Sequence, residues 1–474
     1  MQKPSPGALI LLCGALCIVL FLCAFALRSH PNIEWDEGVY LTTFNSVQHG
    51  YPLYSQTYLS QPPGFFVATF PLYAVFGSTL ESGRLAIFLY SLAGLMGIVW
   101  LGWELESPVF SFVAISLLYL IPIYTDQILT FHDNSLPSTF SVLALAAMFR
   151  FQTTARWRCL SLSALCVTCA ILIKADISVL PSLFFILTFS TLVERKSVRD
   201  FIKGCGIFAV TALLLVLVIT VPFGLSNVVA DVVQLRIQAA NTSSADPALF
   251  VSYLKNQSSL IGLTLLGVVL AGIVVWKKKD KRLSVLMMGL WALSTYSLLL
   301  IYHPLMESHV VFLAVPTVLL FSFSLYTLIN TAPLSRFIPI GAAVFTIIML
   351  MGRATASLAP PAAILNDSQT RELNIVTSNT QPSDTIVTDD GVITGIANRF
   401  TPPDLTDTSF IRIDSGELTS QAFENSLVDY QPKLIMTWTG RLVRISDFDR
   451  ILQRHNYVLA VDLDYYHRAY LLQP

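Results

Sequence analysis

The chain has 474 residues, of which 54% are hydrophobic and 12% are charged. A soluble domain has roughly 25% charged residues, so this composition and a mean hydropathy of +0.64 exclude an ordinary soluble protein and indicate a chain largely dissolved in lipid. The net charge of −1 gives no electrostatic basis for a nucleic-acid partner.

Long apolar segments recur along the chain as far as residue 352. A helix needs about 20 apolar residues to cross the hydrocarbon core of a bilayer, and eleven segments approach that length. They are 8–27, 84–103, 108–125, 134–150, 158–174, 177–193, 204–222, 259–276, 283–302, 309–329 and 335–352. The first has the position of a signal peptide, but its apolar core is long and no small-residue cleavage motif follows. We therefore expect it to be retained as a span.

Basic residues are divided unevenly between the two sides of the membrane that these spans define. With the N-terminus in the cytoplasm, fourteen Lys and Arg residues lie in inner loops and five in outer loops or outer helix ends. This asymmetry follows the positive-inside rule. The apolar segment 65–77 is too short to cross, and counting it as a span would reverse every later loop. We predict that it lies in the outer interface or re-enters it, which leaves the C-terminal tail outside the cytoplasm.

The first outer loop, residues 28–83, begins with the acidic cluster Glu34-Trp35-Asp36-Glu37. Charges are costly near hydrocarbon, about 2.5–3.5 kcal/mol each at a helix centre, so they mark functional sites in membrane proteins. Burial raises the pKa of a carboxylate toward the range of a general base, whereas a nearby metal or other cation lowers it. The alternative is that Asp36 and Glu37 are solvated loop charges or partners of a helix N-terminus.

Further ionisable residues are predicted at the same outer level. They are Arg84, His132, Asp133, Lys174 and His309, each at the outer end of a predicted span. Singly, each is explained as a helix cap or a snorkelling side chain. Together they predict a pocket for an anionic head group such as a lipid-linked phosphate. Lys174 and Asp176 do not share a helix face, so we expect a kink or tight turn there.

From residue 353 the sequence changes character. Apolar runs shorten to strand length and alternate with helical patterns at 417–430 and 445–455. The strand-like runs are 385–388, 433–438, 457–461 and 468–472. This alternation is typical of an α/β domain. We predict two domains: a transmembrane domain, 1–352, that carries the outer loop 28–83, and a small extracytoplasmic α/β domain, 353–474.

The first domain carries a series of short motifs. Three lie in the first outer loop: WDEGVY at 35–40, GYPLY at 50–54 and QPP at 61–63. The others are GRL at 83–85, DN at 133–134, LIK at 172–174 and HVVFLAVP at 309–316. In their order and common side of the membrane, these motifs resemble those of type C (GT-C) membrane glycosyltransferases, in particular the protein O-mannosyltransferase and aminoarabinose-transferase (ArnT-like) group. Gln61 departs from the group, which has a basic residue before the two prolines.

The resemblance implies an α-helical polytopic membrane protein with about 11 transmembrane helices and a GT-C-like fold. It implies an inverting hexosyl- or pentosyltransferase that takes a sugar from a polyprenyl-phosphate donor. Asp36 would be the catalytic base with Glu37 as its neighbour, and Arg84 and Lys174 would contact the donor phosphate. The remaining pocket residues would be Tyr54, His132, Asp133 and His309. A divalent metal at Asp36 (Mg, Mn or Zn) is left open.

The acceptor implied by the resemblance is an extracytoplasmic glycan, lipid or protein, and the protein would lie in a bacterial inner (cell) membrane with membrane lipids as its surroundings. Two other functions stay open: a transporter or flippase, and a scaffold for polysaccharide assembly without transferase activity. A transporter typically shows inverted repeats and broken helices, whereas here the ionisable residues gather at one face. Loss of turnover on mutation of Asp36 would separate these functions.

Overall fold

The computed structural model describes residues 33–174, 197–242, 246–329 and 365–473. Three predicted spans, 8–27, 177–193 and 335–352, lie outside these residues. Each of the other eight is helical in the part that the structure describes. The predicted break after 173 is also partly visible, since the last helix before it ends at Ile173 and Lys174 has an extended backbone, with φ −145° and ψ 103°.

The helices of the membrane region begin after sequence signals that favour helix starts. Thr79 and Ser197 accept hydrogen bonds from backbone amides of the first turns that follow them, and Pro63 and Pro122 stand at first helical positions. The helices are α1 Trp35–Gln48, α2 Pro63–Val75, α3 Leu80–Glu104, α4 Pro108–Leu120, α5 Pro122–Gln127, α6 Leu136–Thr154, α7 Trp157–Ile173, α8 Val198–Thr220, α9 Leu225–Val228, α10 Leu235–Thr242, α11 Pro247–Asn256, α12 Ser258–Lys277, α13 Arg282–Ile301 and α14 Ala314–Ile329.

Five helical segments in the described residues are long and apolar enough to cross a membrane. They are Leu80–Glu104, Val198–Phe223, Ser258–Lys277, Lys279–Ile301 and Glu307–Ile329. The segment predicted not to cross forms α2, which has only 13 residues and contains Pro71. The helices pack in two groups, α3 with α6 and α7, and α12 with α14, and α4 contacts both groups. One large cluster of buried apolar side chains runs through both.

The C-terminal region is built on a four-stranded sheet. Its strands are β1 Ile386–Thr388, β2 Leu434–Thr437, β3 Tyr457–Asp462 and β4 Arg468–Leu472, in the order β1-β2-β4-β3. The strands β1 and β2 are parallel, and the other two pairs are antiparallel. The surrounding helices are α15 Asp367–Asn379, α16 Gly391–Ile396, α17 Phe410–Asp414, α18 Ser420–Tyr430 and α19 Phe448–Arg454. The predicted strands and both helical patterns are confirmed, whereas the boundary at 352/353 lies outside the described residues and stays a prediction.

The C-terminal region packs directly on the first outer loop, through α16 and α1. Gly38 and Gly391 meet at this contact, and a Cβ atom on Gly38 would lie 2.6 Å from the carbonyl carbon of Gly391. The indole nitrogen of Trp35 donates a hydrogen bond to the Asp389 carbonyl, 2.8 Å away. Because the start of α1 lies in this contact, the C-terminal region is adjacent to the acidic cluster.

Candidate active site

The first turn of α1 contains both acids of the predicted catalytic loop. Asp36 and Glu37 lie at the helix N-terminus, where negative charge is stabilised by the backbone dipoles. Glu37 also accepts a hydrogen bond from the Glu34 amide, at 3.1 Å. The side chain of Glu37 is fully buried, whereas 45% of the Asp36 side chain stays accessible. Consecutive positions on the helix therefore give the two acids different surroundings.

Glu37 is bound by groups from two other elements. Arg84 Nε donates to Oε1 at 2.8 Å, and Arg84 Nη2 donates to Oε2 at 2.7 Å. The Phe131 amide donates to Oε1 at 2.6 Å. Arg84 is only 3% exposed, so this bidentate pair joins α1 to α3 inside the protein. The predicted contact between Arg84 and a donor phosphate stays a prediction, and this geometry gives it no support.

Asp36 is the first of a series of side chains with alternating charges, which continues through His132 and Asp133 to Lys174. Its Oδ2 lies 2.6 Å from His132 Nε2, and His132 Nδ1 lies 2.8 Å from Asp133 Oδ1. Lys174 Nζ donates to both Asp133 oxygens, at 3.0 and 3.1 Å, and to Asn134 Oδ1 at 2.7 Å. The residues His132, Asp133 and Lys174 are all nearly or fully buried. Each buried charge in the series thus has an opposite partner.

This arrangement fixes the charge states of the series. Burial alone would lower the pKa of His132, but the carboxylates of Asp133 and Asp36 outweigh it and raise the pKa to about 10. Burial would raise the pKa of Asp36, but the charge and hydrogen bond of His132 hold that pKa below its ordinary value. At neutral pH, His132 is therefore an imidazolium and Asp36 an ionised carboxylate.

Asp36 faces a cavity of about 310 Å³. Its wall also holds three other residues from the predicted set: His132, Lys174 and His309. The other four predicted residues do not line it. Glu37, Arg84 and Asp133 support the wall from behind, and Tyr54 donates a 2.5 Å hydrogen bond to the carbonyl of Gln61, which is on the wall.

Two arginines on the cavity wall were not predicted as site residues. Arg236, on α10, has Nη2 at 3.4 Å from Gln61 Oε1. Arg441 follows β2 in the C-terminal region, and its guanidinium lies over the Trp35 ring at 4.1 Å and near the Phe410 ring at 4.5 Å. The sequence signal for Arg236 was its position among few outer basic residues, and for Arg441 the motif TWTGR at 437–441.

The loop that carries Arg441 is held by one buried carboxylate. Asp389, at the end of β1, is fully buried and accepts four backbone hydrogen bonds. The donors and distances are Trp438 at 2.6 Å, Thr439 at 2.8 Å, Arg441 at 2.8 Å and Leu442 at 3.2 Å.

The wall of the cavity combines the cations Lys174, Arg236 and Arg441 with the carboxylate of Asp36, which can accept a proton. It can hold an anionic group beside a proton acceptor.

A metal ion at Asp36 would need further ligands around it. A bound divalent metal takes several His, Cys or carboxylate ligands, and within the described residues no group of three or more such side chains is placed to share an ion. His132 has both ring nitrogens next to carboxylate oxygens. These residues do not fit a metal site centred on Asp36, and metal dependence stays a prediction.

The architecture is that of a multi-pass integral membrane protein with the type C glycosyltransferase fold, of the ArnT-like kind, and with a C-terminal α/β region. Residues 60–224 match the family model described as dolichyl-phosphate-mannose-protein mannosyltransferase. This match covers about a third of the chain and includes His132, Asp133 and Lys174. It supports a membrane glycosyltransferase, and the resemblance and fold class expected from the sequence are confirmed.

Two solved structures of ArnT from Cupriavidus metallidurans show the same fold. The one bound to undecaprenyl phosphate has a TM-score of 0.69 and 13% identity, and the match covers 98% of each chain. The apo structure has a TM-score of 0.65 and 15% identity, with 96% of each chain covered. No curated protein matches the sequence. The fold is therefore shared over nearly the whole length at low sequence identity.

Proposed function

We propose that this protein is a membrane glycosyltransferase that moves a sugar from a polyprenyl-phosphate-linked donor to an extracytoplasmic acceptor, with Asp36 as the catalytic base. One observation carries the proposal: the ionised carboxylate of Asp36 faces a cavity whose wall also holds Lys174 and Arg236. Transfer from a phosphate ester requires both a base and cations that stabilise the departing phosphate. The undecaprenyl phosphate bound in one ArnT structure supports a lipid phosphate as the carrier.

The donor phosphate would lie against Lys174 and Arg236. Arg236 is close to Gln61, at the position where the similar glycosyltransferases have a basic residue before the two prolines. A cation from α10 therefore replaces the charge missing from position 61. Arg236 offers a planar fork that suits a phosphate's oxygens. Lys174 adds positive charge to the cavity wall, while its N–H groups donate to Asp133 and Asn134. As the phosphate leaves, negative charge grows on these oxygens, and both cations stabilise it.

Asp36 would act on the acceptor. The acceptor oxygen or nitrogen attacks the anomeric carbon as the bond between that carbon and the phosphate oxygen breaks. The bonding electron pair leaves with the phosphate, and the acceptor proton passes to the Asp36 carboxylate. Attack from the side opposite the phosphate inverts the anomeric configuration. His132 keeps Asp36 ionised before this step, and Asp133 and Lys174 hold His132 in place.

The compartment follows from the positive-inside distribution of basic residues. We propose that the cavity and the C-terminal region face the outside of the cytoplasm, in a bacterial inner membrane. The sugar would be a hexose or a pentose, and the acceptor a glycan, a lipid or a protein. A reporter active only outside the cytoplasm, fused after Pro474, should be active, and one fused within 277–282 should be silent. The opposite pattern would place Asp36 in the cytoplasm.

The donor can be identified from cells that lack the protein. Lipid-linked sugars extracted from a deletion strain should contain an accumulated polyprenyl-phosphate sugar, and its level should return to normal when the wild-type gene is restored. When the gene for the Asp36→Asn variant is introduced instead, the donor should remain accumulated. If no lipid-linked sugar accumulates in the deletion strain, a polyprenyl-phosphate donor is the wrong substrate. Purified protein treated with EDTA tests the metal, since a metal-dependent enzyme loses turnover and regains it with added Mg²⁺, Mn²⁺ or Zn²⁺.

A further inference from the structure

The C-terminal region contains a second pocket, about 520 Å³, beside the cavity that holds Asp36. Two of its lining tyrosines, Tyr465 and Tyr466, are 59% and 51% exposed. They lie in the turn between β3 and β4, with their rings 5.0 Å apart and nearly perpendicular. Single exposed aromatic rings are common on protein surfaces, but several exposed rings that line one pocket form a contiguous apolar patch. Such a patch marks an interaction site.

The pocket wall is held in a defined shape. Gly440 has φ +75°, and a Cβ atom there would lie 2.7 Å from the Tyr466 ring, so glycine permits the ring to pack on the loop. The Trp438 indole donates to Ser368 Oγ at 2.9 Å. The His467 ring stands edge-to-face with Trp438, 4.9 Å away. These contacts orient the rings before any ligand arrives.

Polar groups stand among these rings. Arg444 lines the pocket and is oriented by two hydrogen bonds to Asp414, at 3.0 and 2.6 Å. His467 lines it too, with Nδ1 2.7 Å from Asp464 Oδ2. Flat apolar faces with planar polar groups at their edges match a sugar ring. A pyranose presents C–H bonds to an aromatic face and hydroxyls to the surrounding donors and acceptors. A lipid chain has no polar groups that could bond to Arg444 or His467.

The second pocket adjoins the cavity of Asp36. Phe410 lines both, and the loop 438–441 contributes Trp438 to one and Arg441 to the other. A chain of sugar units could therefore have its growing end beside Asp36 and an earlier unit against Tyr465 and Tyr466. We propose that this aromatic pocket is a saccharide-binding subsite and that the acceptor is a glycan chain. The assignment of an acceptor rests on the proposed transferase function.

Direct binding tests the subsite without donor or turnover. Full-length protein in detergent is applied to an array of immobilised short oligosaccharides, as wild type, Tyr465→Ala/Tyr466→Ala and Leu463→Ala. Leu463 lies in the same hairpin and is 54% exposed, so it controls for nonspecific apolar adhesion. Wild type and the Leu463 variant should bind a common set of saccharides, and the double variant should bind them roughly tenfold more weakly or worse. Tyr466→Phe, which keeps the ring, should retain most of the binding.

No saccharide bound by wild type, or equal losses in the double variant and the Leu463 variant, would overturn the subsite. Capture of peptides instead of saccharides on a matched peptide array would also overturn it. Asp36→Asn should bind saccharides as wild type does, because Asp36 lies outside this pocket. If saccharides bind but Asp36→Asn retains full transfer, the proposed catalytic function fails while the subsite stands. In a transfer assay, the double variant should raise the acceptor KM and leave kcat unchanged.

Discussion

The two faces of α1 give its neighbouring carboxylates, Asp36 and Glu37, opposite surroundings. On the inner face, Glu37 is fully buried, and Arg84 and the Phe131 amide occupy its oxygens. On the cavity face, Asp36 bonds to His132 and keeps 45% of its side chain accessible. An acidic pair in the sequence thus contains one residue that holds the fold together and one that is available for chemistry. Variants at each position separate the two roles.

The largest expected effect is on turnover at the cavity face. Asp36→Asn keeps the side-chain shape but removes its basicity, and general-base catalysis commonly contributes about 100- to 10,000-fold. Turnover should fall by at least two orders of magnitude, while expression and donor binding persist. Steady-state rates and donor affinity measured on the same purified sample check this. Full activity in the variant would remove Asp36 from the mechanism.

On the inner face the expected loss is in stability. Glu37→Gln removes the carboxylate charge that pairs with the buried Arg84, and removing one partner of a buried pair costs about 3–5 kcal/mol. Thermal unfolding in detergent should shift downward, and the folded fraction should retain more activity than Asp36→Asn. The double variant Glu37→Gln/Arg84→Met should recover part of the stability. A stable but inactive Glu37→Gln beside an active Asp36→Asn would move the catalytic role by one residue.

The cations of the cavity should control donor affinity. Removing a charge-assisted hydrogen bond typically costs about 1.5–3 kcal/mol, so Arg236→Ala should weaken donor binding about 10- to 100-fold. Lys174→Ala should weaken donor binding too, and it should also lower stability because Lys174 pairs with the buried Asp133. Arg84→Ala should lower stability instead, in line with its pairing to Glu37. Titration of the purified variants with the extracted donor lipid compares the three. Unchanged donor affinity in both Lys174→Ala and Arg236→Ala would contradict the proposed donor site.

The contact between α1 and the C-terminal region should respond to one added methyl group. Gly38→Ala places a Cβ atom against the backbone of Gly391, so the helix α16 must shift, at a cost of about 1–3 kcal/mol. The C-terminal region should become more susceptible to limited proteolysis, and turnover should drop because Arg441 moves. Gly272→Ala, where nothing lies within 4 Å of the new atom, is the matched control. Equal proteolysis of both variants would contradict the close contact.

The smallest effect concerns pH. Activity needs ionised Asp36, so it should fall as pH drops through the pKa of Asp36, which His132 holds below its ordinary value. His132→Gln removes the cation and leaves burial, which raises the Asp36 pKa, so the acid limb should move to higher pH. A pH–rate profile measures this acid limb, with His49→Gln as control. An acid limb unmoved in His132→Gln would show that His132 does not set the ionisation of Asp36.

The sequence predicted much of the architecture because periodicity and length are local properties. The predicted spans that lie in the described part, the short α2 and the four strands follow from apolar patterns. The helices α1, α10 and α11, which lie in the outer loops, were not predicted. The sequence also predicted that Asp36, His132, Lys174 and His309 lie at one level, from their positions at the ends of spans. The structure brings these four to one cavity wall.

Pairings between distant residues could not be predicted in this way. The partner of Arg84 is Glu37, 47 positions earlier, and nothing near Arg84 in the sequence indicates it. Arg236 comes close to Gln61 across 175 positions. Arg441 reaches the cavity only because the C-terminal region packs on α1, a contact that depends on two glycines far apart in the chain. Tertiary packing, rather than local pattern, selects these residues.

The most direct test of the central claim is the chemical fate of the donor in liposomes that contain the purified protein. The donor is the radiolabelled polyprenyl-phosphate sugar extracted from the deletion strain, supplied with candidate acceptors. Wild type should transfer the label to an acceptor and release an equal amount of polyprenyl phosphate, and Asp36→Asn should do neither while still binding the donor. Donor that crosses the bilayer intact without losing its sugar, at the same rate in both proteins, would indicate a flippase and contradict the account.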